Sequence, residues 1–358
     1  MWRRDCPAFK KETGRDLGPV QEEETGTMSV RERVRGPALQ ASMLVAGLCA
    51  AMPGARAQSV GSVYVSSEKD NAIYVFTAQG EQQAKIEVCR RPRDMAFGAG
   101  KQQIMVVCGD SNALGLVDVA TGRLTGTVPL GDSPEMLALS PDGKLAYVSI
   151  EDESVLAAYD VASKQAVFEV KTGGEPEGVL VTADGKTAYV TSEVANLVHE
   201  IDLATRKVVK NIKVGKRPRR FALAAGDNEL WVTNELDASV GVVDRASRSL
   251  KKTIRFEVKG MRQSDITPVG ITASPDGATM WVGLGKANHV AEVDVATHAV
   301  KRLVLVGKRA WGLRMHPDGK TLYVANGLSD DMTIIDTASG KALKTVPAGR
   351  VPHTVLVK

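Results

Sequence analysis

From about residue 60 to the end, apolar positions come in short bursts separated by turn-forming residues. "PEMLALS" (134–140) alternates apolar and polar, "LAYVSI" (145–150) and "SVLAAYDV" (154–161) follow it, and "PDGK" (141–144) divides the first two. Runs of this length bounded by such signals predict β-strands. In the divider, Pro141 presets φ and Gly143 takes the position of positive φ. After the third run, "DVASKQA" turns the chain, and Asp160 can fold its carboxylate onto downstream N–H groups as an Asx turn. The same aspartate recurs at Asp118, Asp202, Asp244, Asp294 and Asp336. A repeated carboxylate could serve a metal, but turn formation explains it with less. The chain closes on "VPHTVLVK", an apolar alternation where a loose polar tail would be ordinary.

That ending belongs to a repeat. A phrase-opening proline stands at Pro92, Pro134, Pro176, Pro218, Pro268 and Pro352, with Ala310 holding the remaining slot. The intervals are 42 residues, except for 50 between Pro218 and Pro268. A second landmark keeps the same beat: "VYV" at Val63, "IMV" at Ile104, "AYV" at Ala146 and Ala188, "LWV" at Leu230, "MWV" at Met280 and "LYV" at Leu322. A period near 42 carrying only β signals is that of a propeller blade with four strands. The prediction is an all-β, seven-bladed β-propeller. "SVYVSS" (62–67) has no inner strand before it, and "PHTVLV" (352–357) has no outer strands after it. The C-terminal strand should therefore complete the N-terminal blade and close the ring, leaving no open sheet edge.

The phrases "YVTSEVANLVHEIDLATRKVVKNIKVGKRP" (189–218) and "LWVTNELDASVGVVDRASRSL" (230–250) resemble the YVTN-type β-propeller repeat of exported bacterial proteins. "RPRDMAF", "GDSPEMLALSPDGKLAYVS", "GGEPEGV" and "GKRPRRFA" are similar more narrowly to propeller proteins associated with PQQ-dependent alcohol catabolism, PQQ being a quinone cofactor of certain periplasmic dehydrogenases. The resemblance implies a place in such a pathway and no reaction for this polypeptide. A propeller hosts many functions.

The N-terminal part differs. Residues 28–57 carry a basic stretch (Arg31, Arg33, Arg35), a short apolar segment and Ala55-Arg56-Ala57, the pattern of a secretory signal peptide cleaved near Ala57. The apolar segment is too short to span a bilayer comfortably. Residues 1–27 are polar and aperiodic, as if an upstream start codon had been assigned wrongly. The mature chain is thus expected to be the propeller of residues 58–358, periplasmic, monomeric and without a membrane span. A formal net charge of +4 gives no case for a nucleic-acid partner.

Familiar catalytic patterns are missing: no Cys-Cys pair, haem motif, histidine pair at metal-ligand spacing, nucleophile elbow or phosphate loop occurs. His298 and His316 fall in turns, and His199 in a third strand. Neither a catalytic residue nor a metal ligand is assigned, and no cofactor is required; PQQ enters by association alone. Geometry instead places a candidate mouth where fourth strands lead into the next inner strand. There the residue after each proline slot reads Arg93, Glu135, Glu177, Arg219, Val269, Trp311 and His353, and the loops after second strands add Glu68, Glu151, Glu193 and Glu235. By blade the charges segregate, acidic on the second and third and basic on the first, the fourth and the last two. They are solvated rim charges or a mouth for a partner, such as a PQQ-dependent dehydrogenase or transport component, or for a small anionic ligand. An enzyme using glutamate as acid/base and arginine as anion clamp is one alternative; a cell-surface adhesion or structural propeller is another. The additional residues before Pro268, with Lys259 and Arg262, are either an idle insertion or a flap or docking finger over that mouth. Cys89 and Cys108 fall on the same face, as a disulfide or as two separate thiols.

Overall fold

The computed structural model describes residues 62–358, and the proposed leader lies outside them. Seven four-stranded antiparallel sheets make up the described chain. In the first complete blade the strands run Pro92–Phe97, Gln103–Cys108, Ala113–Asp118 and Arg123–Pro129, from the axis outward. The last sheet is composite: Pro352–Val357 pairs with Val63–Ser67, followed by Ala72–Phe76 and Gln82–Glu87. Val63 faces Val357, Tyr64 faces Leu356 and Val65 faces Val355, while Lys358 N donates to Ser62 O at 3.0 Å. The ring closes as the repeat predicts.

Second and third strands read as almost continuous apolar runs because both faces of each blade are covered. Successive side chains point to opposite neighbours; Tyr147 joins an apolar cluster with the third blade and Val148 one with the first. Outer strands, covered less, leave Leu305 and Leu343 exposed. The recurring aspartates do form turns: Asp118 Oδ1 accepts Thr121 N at 2.7 Å, and Asp160, Asp202, Asp244, Asp294 and Asp336 repeat the bond.

Two sets of side chains aim each blade at the next. Asn71, Asn112, Asn196 and Asn288, with Asp330 in the fifth slot, accept the backbone N–H of Arg91, Ser133, Arg217, Arg309 and Val351. Those recipients immediately precede the proline slot and all have positive φ. Such a conformation is costly for non-glycine residues and needs the anchorage. Lower down, hydroxyls on second strands donate to carbonyls of the neighbouring inner strand: Ser66 to Arg93, Ser149 to Glu177, Thr191 to Arg219 and Thr233 to Val269, at 2.6–3.0 Å. A Cβ at Gly178 or Gly312 would run into the carbonyl of Arg219 or His353, so the inner strands approach too closely there for any other residue.

Candidate functional site

Each inner strand bulges just after its opening residue, as between Pro92 and Met95 or Pro218 and Phe221. A bulge breaks the alternation and re-aims side chains. It helps turn the residues after the proline slot into a mouth of about 510 Å3 on one face of the ring. Arg93, Glu135, Glu177, Arg219, Trp311 and His353 line it, with Glu68, Glu151, Glu193 and Glu235 from the loops after second strands. The first six and Glu193 are buried, and Glu151 and Glu235 are partly exposed.

The segregation of charge by blade does not survive in space. Arg93 reaches the acidic side, its Nη1 2.5 Å from Glu135 Oε2 and its Nη2 4.0 Å from Glu177 Oε2. From the other flank Arg219 Nη2 meets Glu177 Oε1 at 2.9 Å and Nη1 bonds Glu193. Arg217 adds contacts of 2.6 Å to Glu193 and 3.2 Å to Glu235. Long arginine side chains thus interleave with the glutamates and neutralise them. Residue order could not show this, because it fixes where a side chain starts and not how far it reaches.

Burial sets the protonation states. It pushes Glu135 up to about 9, with Arg93 opposing and Glu177 adding. A protonated Glu135 then donates to Glu177. Burial would raise Glu177 too, but Arg219, Arg93 and Arg220 outweigh it and hold that carboxyl below its ordinary value. Glu193 is lifted to about 7, by burial first and with Glu177 and Glu235 adding, against Arg219 and Arg217. Burial and then Arg93 and Arg220 press His353 well below its usual range. Its Nε2 accepts from Arg93 Nη2 at 3.4 Å and Arg220 Nη2 at 3.2 Å. The neutral ring therefore carries its proton on Nδ1, which donates to Thr354 Oγ1 at 3.0 Å.

One sector of the mouth is left unneutralised. Arg309 and Lys286 line it, and among the described residues neither has a carboxylate within ion-pair distance. The Arg309 guanidinium lies 4.2 Å from the Trp311 ring centroid, and Arg219 lies 5.3 Å from it. Trp311 Nε1 is buried and has no hydrogen-bond partner. Lys286 carries no signal in the repeat pattern, since it stands one residue beyond the position that holds glutamate in four other blades. It sits in the corresponding loop of the fifth blade.

Lys259 and Arg262 do not belong to this site. Both are exposed, and Arg262 Nε pairs with Asp265 at 2.9 Å. The additional segment is no flap: Phe256, Val258 and Ile266 sink into an apolar cluster with Trp231, Val240 and Met280. Only Thr267, at its end, reaches the mouth, where its Oγ1 accepts Lys286 N at 2.8 Å. Alternation of apolar with charged residues in "RFEVKGMRQSDIT" was the signal for an anchored loop.

Cys89 and Cys108 form a disulfide with Cα atoms 5.7 Å apart. Cys89 occupies a slot that is glycine in other blades. At Gly173, Gly215 and Gly349 a Cβ would collide with the last residue of the facing second strand, Ser192, Asn234 or Ser67. Cys108 is that residue in the first blade, so the same proximity accommodates a bond.

Among the described residues no helix is long and apolar enough to cross a membrane, and no group of His, Cys, Asp and Glu has metal-holding geometry. No protein-family model and no curated protein matches the sequence. Solved structures do resemble the fold. Hydrazine synthase of Kuenenia stuttgartiensis aligns at 20% identity over 77% of this chain and 92% of its own, with a TM-score of 0.69. The periplasmic gluconolactonase of Pseudomonas aeruginosa aligns at 18% over 84% and 99%, with a TM-score of 0.71. A protein of unknown function from Desulfotomaculum acetoxidans aligns at 14% over 84% and 99%, also at 0.71. At these identities the likeness is one of fold.

Proposed function

We propose that this chain is an exported binding propeller whose mouth captures a small anionic ligand in support of PQQ-linked alcohol oxidation. The observation that carries the reading is the unpaired sector. In a mouth where most arginines and glutamates pair with one another, Arg309 and Lys286 have no carboxylate within ion-pair distance among the described residues. Beside them the buried Trp311 ring stacks with the Arg309 guanidinium, and its N–H donor has no partner. A carboxylate or phosphate would be held by the two cations, with Arg309 set in place by its stacking on the Trp311 ring. The volume suits a small molecule. PQQ itself, planar and rich in carboxylates, is one candidate, and sugar acids are another. Export accords with the signal-like segment and with a disulfide, which persists in oxidising compartments.

Titration of the purified protein with PQQ, gluconate and 6-phosphogluconate, followed by tryptophan fluorescence and calorimetry, tests this. Binding of one of these anions, weakened about tenfold or more by Arg309→Met at unchanged melting temperature, is the expected result. Absence of binding by all three, or an Arg309→Met protein that binds as well as wild type, would refute it.

Hydrolysis of a sugar lactone is a second reading, favoured by Glu193. A carboxyl held near 7 can exchange a proton at neutral pH. Acid release from glucono-δ-lactone above the spontaneous rate, lost in Glu193→Gln, would establish it. No excess release would leave binding alone.

A further inference from the structure

The channel has a second chamber at its other end, and its chemistry differs from that of the mouth. It also measures about 510 Å3. Its walls carry Met136, Leu137, Phe221, Leu313 and Met315 from the inner strands. Four charged side chains join them: Asp94, Lys101, Arg220 and Arg314.

Arg314 is not required by the fold. The matching position of the other inner strands holds Ala96, Ala138, Leu180, Ala222, Thr272 and Leu356. The Arg314 side chain is exposed to the chamber, and its one hydrogen bond, from Nε to Val355 O, is long at 3.5 Å. Among the described residues no carboxylate lies within ion-pair distance of it. Arg220 has no ion pair either. Its Nη2 is spent on His353, and its buried Nε has no partner. Asp94, the chamber's carboxylate, is occupied elsewhere: Oδ2 accepts Leu137 N at 3.2 Å and Oδ1 accepts Thr354 Oγ1 at 3.3 Å. Two guanidiniums thus face one carboxylate inside walls of methionine, leucine and phenylalanine.

We infer that this chamber is a second binding site, for a compact carboxylic acid with an apolar body. The carboxylate would meet the free fork of Arg314 bidentately, the geometry in which such a charge-assisted pair is strongest. The apolar body would lie against Met136, Leu313 and Met315, whose flexible thioethers and leucine fit varied shapes. The contact between His353 and Arg220 separates the two ends: His353 lines the mouth and Arg220 the chamber. The site therefore takes a different ligand from the mouth and does not depend on what the mouth binds.

Calorimetric titration with octanoate tests this, with octan-1-ol as the uncharged control. Octanoate should bind one to one and at least about tenfold more tightly than the alcohol. Arg314→Gln should remove that preference without changing the melting temperature, since the side chain is exposed. Arg314→Lys, which keeps the charge and loses the fork, should fall between. Arg309→Met, which alters only the mouth, should leave octanoate binding intact. Failure of octanoate to bind, equal affinity for acid and alcohol, wild-type affinity in Arg314→Gln, or loss of binding in Arg309→Met would each overturn the inference.

Discussion

Replacing Leu356 with alanine tests ring closure more cleanly than any change at the mouth. Leu356 lies on the strand that the C-terminus contributes to the first-begun blade, opposite Tyr64 in register. It is 4% exposed and packs with Tyr64, Ile73, Met95 and Ile104 on two blades. If it holds the ring shut, truncation removes a buried side chain from an interface that cannot collapse, because the paired strands fix its width. Buried leucine-to-alanine changes cost about 2–5 kcal/mol. For a domain of this size that corresponds to a drop in melting temperature of roughly 3–8 °C. Deleting residues 351–358 should do worse, since Val355, Leu356 and Val357 are all buried and each contributes about 1.5–3 kcal/mol. That approaches the roughly 5–15 kcal/mol that holds a whole domain folded. Leu343→Ala, on an outer strand and largely exposed, is the control and should stay within about 0.5 kcal/mol. The assay is calorimetry or circular dichroism on the three proteins. A Leu356→Ala melting temperature matching that of Leu343→Ala would show that the terminal strand does not carry the closure.

Three further outcomes are expected. Arg219→Met should lower stability by up to about 3–5 kcal/mol in urea titration, because it leaves buried Glu177 with only the 4.0 Å ion pair to Arg93 and buried Glu193 with Arg217 alone; adding Glu193→Gln should restore part of the loss, and no recovery would discount the pairing. Anion affinity at the mouth should fall between pH 6 and pH 8, since Glu193 gains its negative charge on passing about 7; Glu193→Gln should flatten the dependence, and a wild-type affinity independent of pH would contradict it. Excising residues 257–264 should cost about 2–5 kcal/mol rather than the few tenths typical of loop length alone, because Val258 goes and Phe256 and Ile266 lose their seat; an unchanged melting temperature would restore the flap reading.

The sequence by itself determined the architecture. Seven landmarks at an almost constant interval, turn residues with fixed backbone demands and an incomplete blade at each end leave one arrangement, because repeats of this kind bury their faces only against one another. It also determined which backbone positions face the mouth, since the proline slot sets them in every unit. What those positions do was decided by the tertiary structure. Arg93 and Arg219 start on particular blades but end among the glutamates of others, so pairing, burial and protonation depend on reach across the axis. Lys286 and Arg309 matter because of what does not reach them, a fact about the whole ring. Arg314 is the one charged residue at an otherwise uncharged strand position, legible only once closure places it in a chamber. Local patterning is short-ranged and repeats faithfully along the chain. Electrostatics at the axis sums contributions from all seven blades, and only the folded ring brings them together.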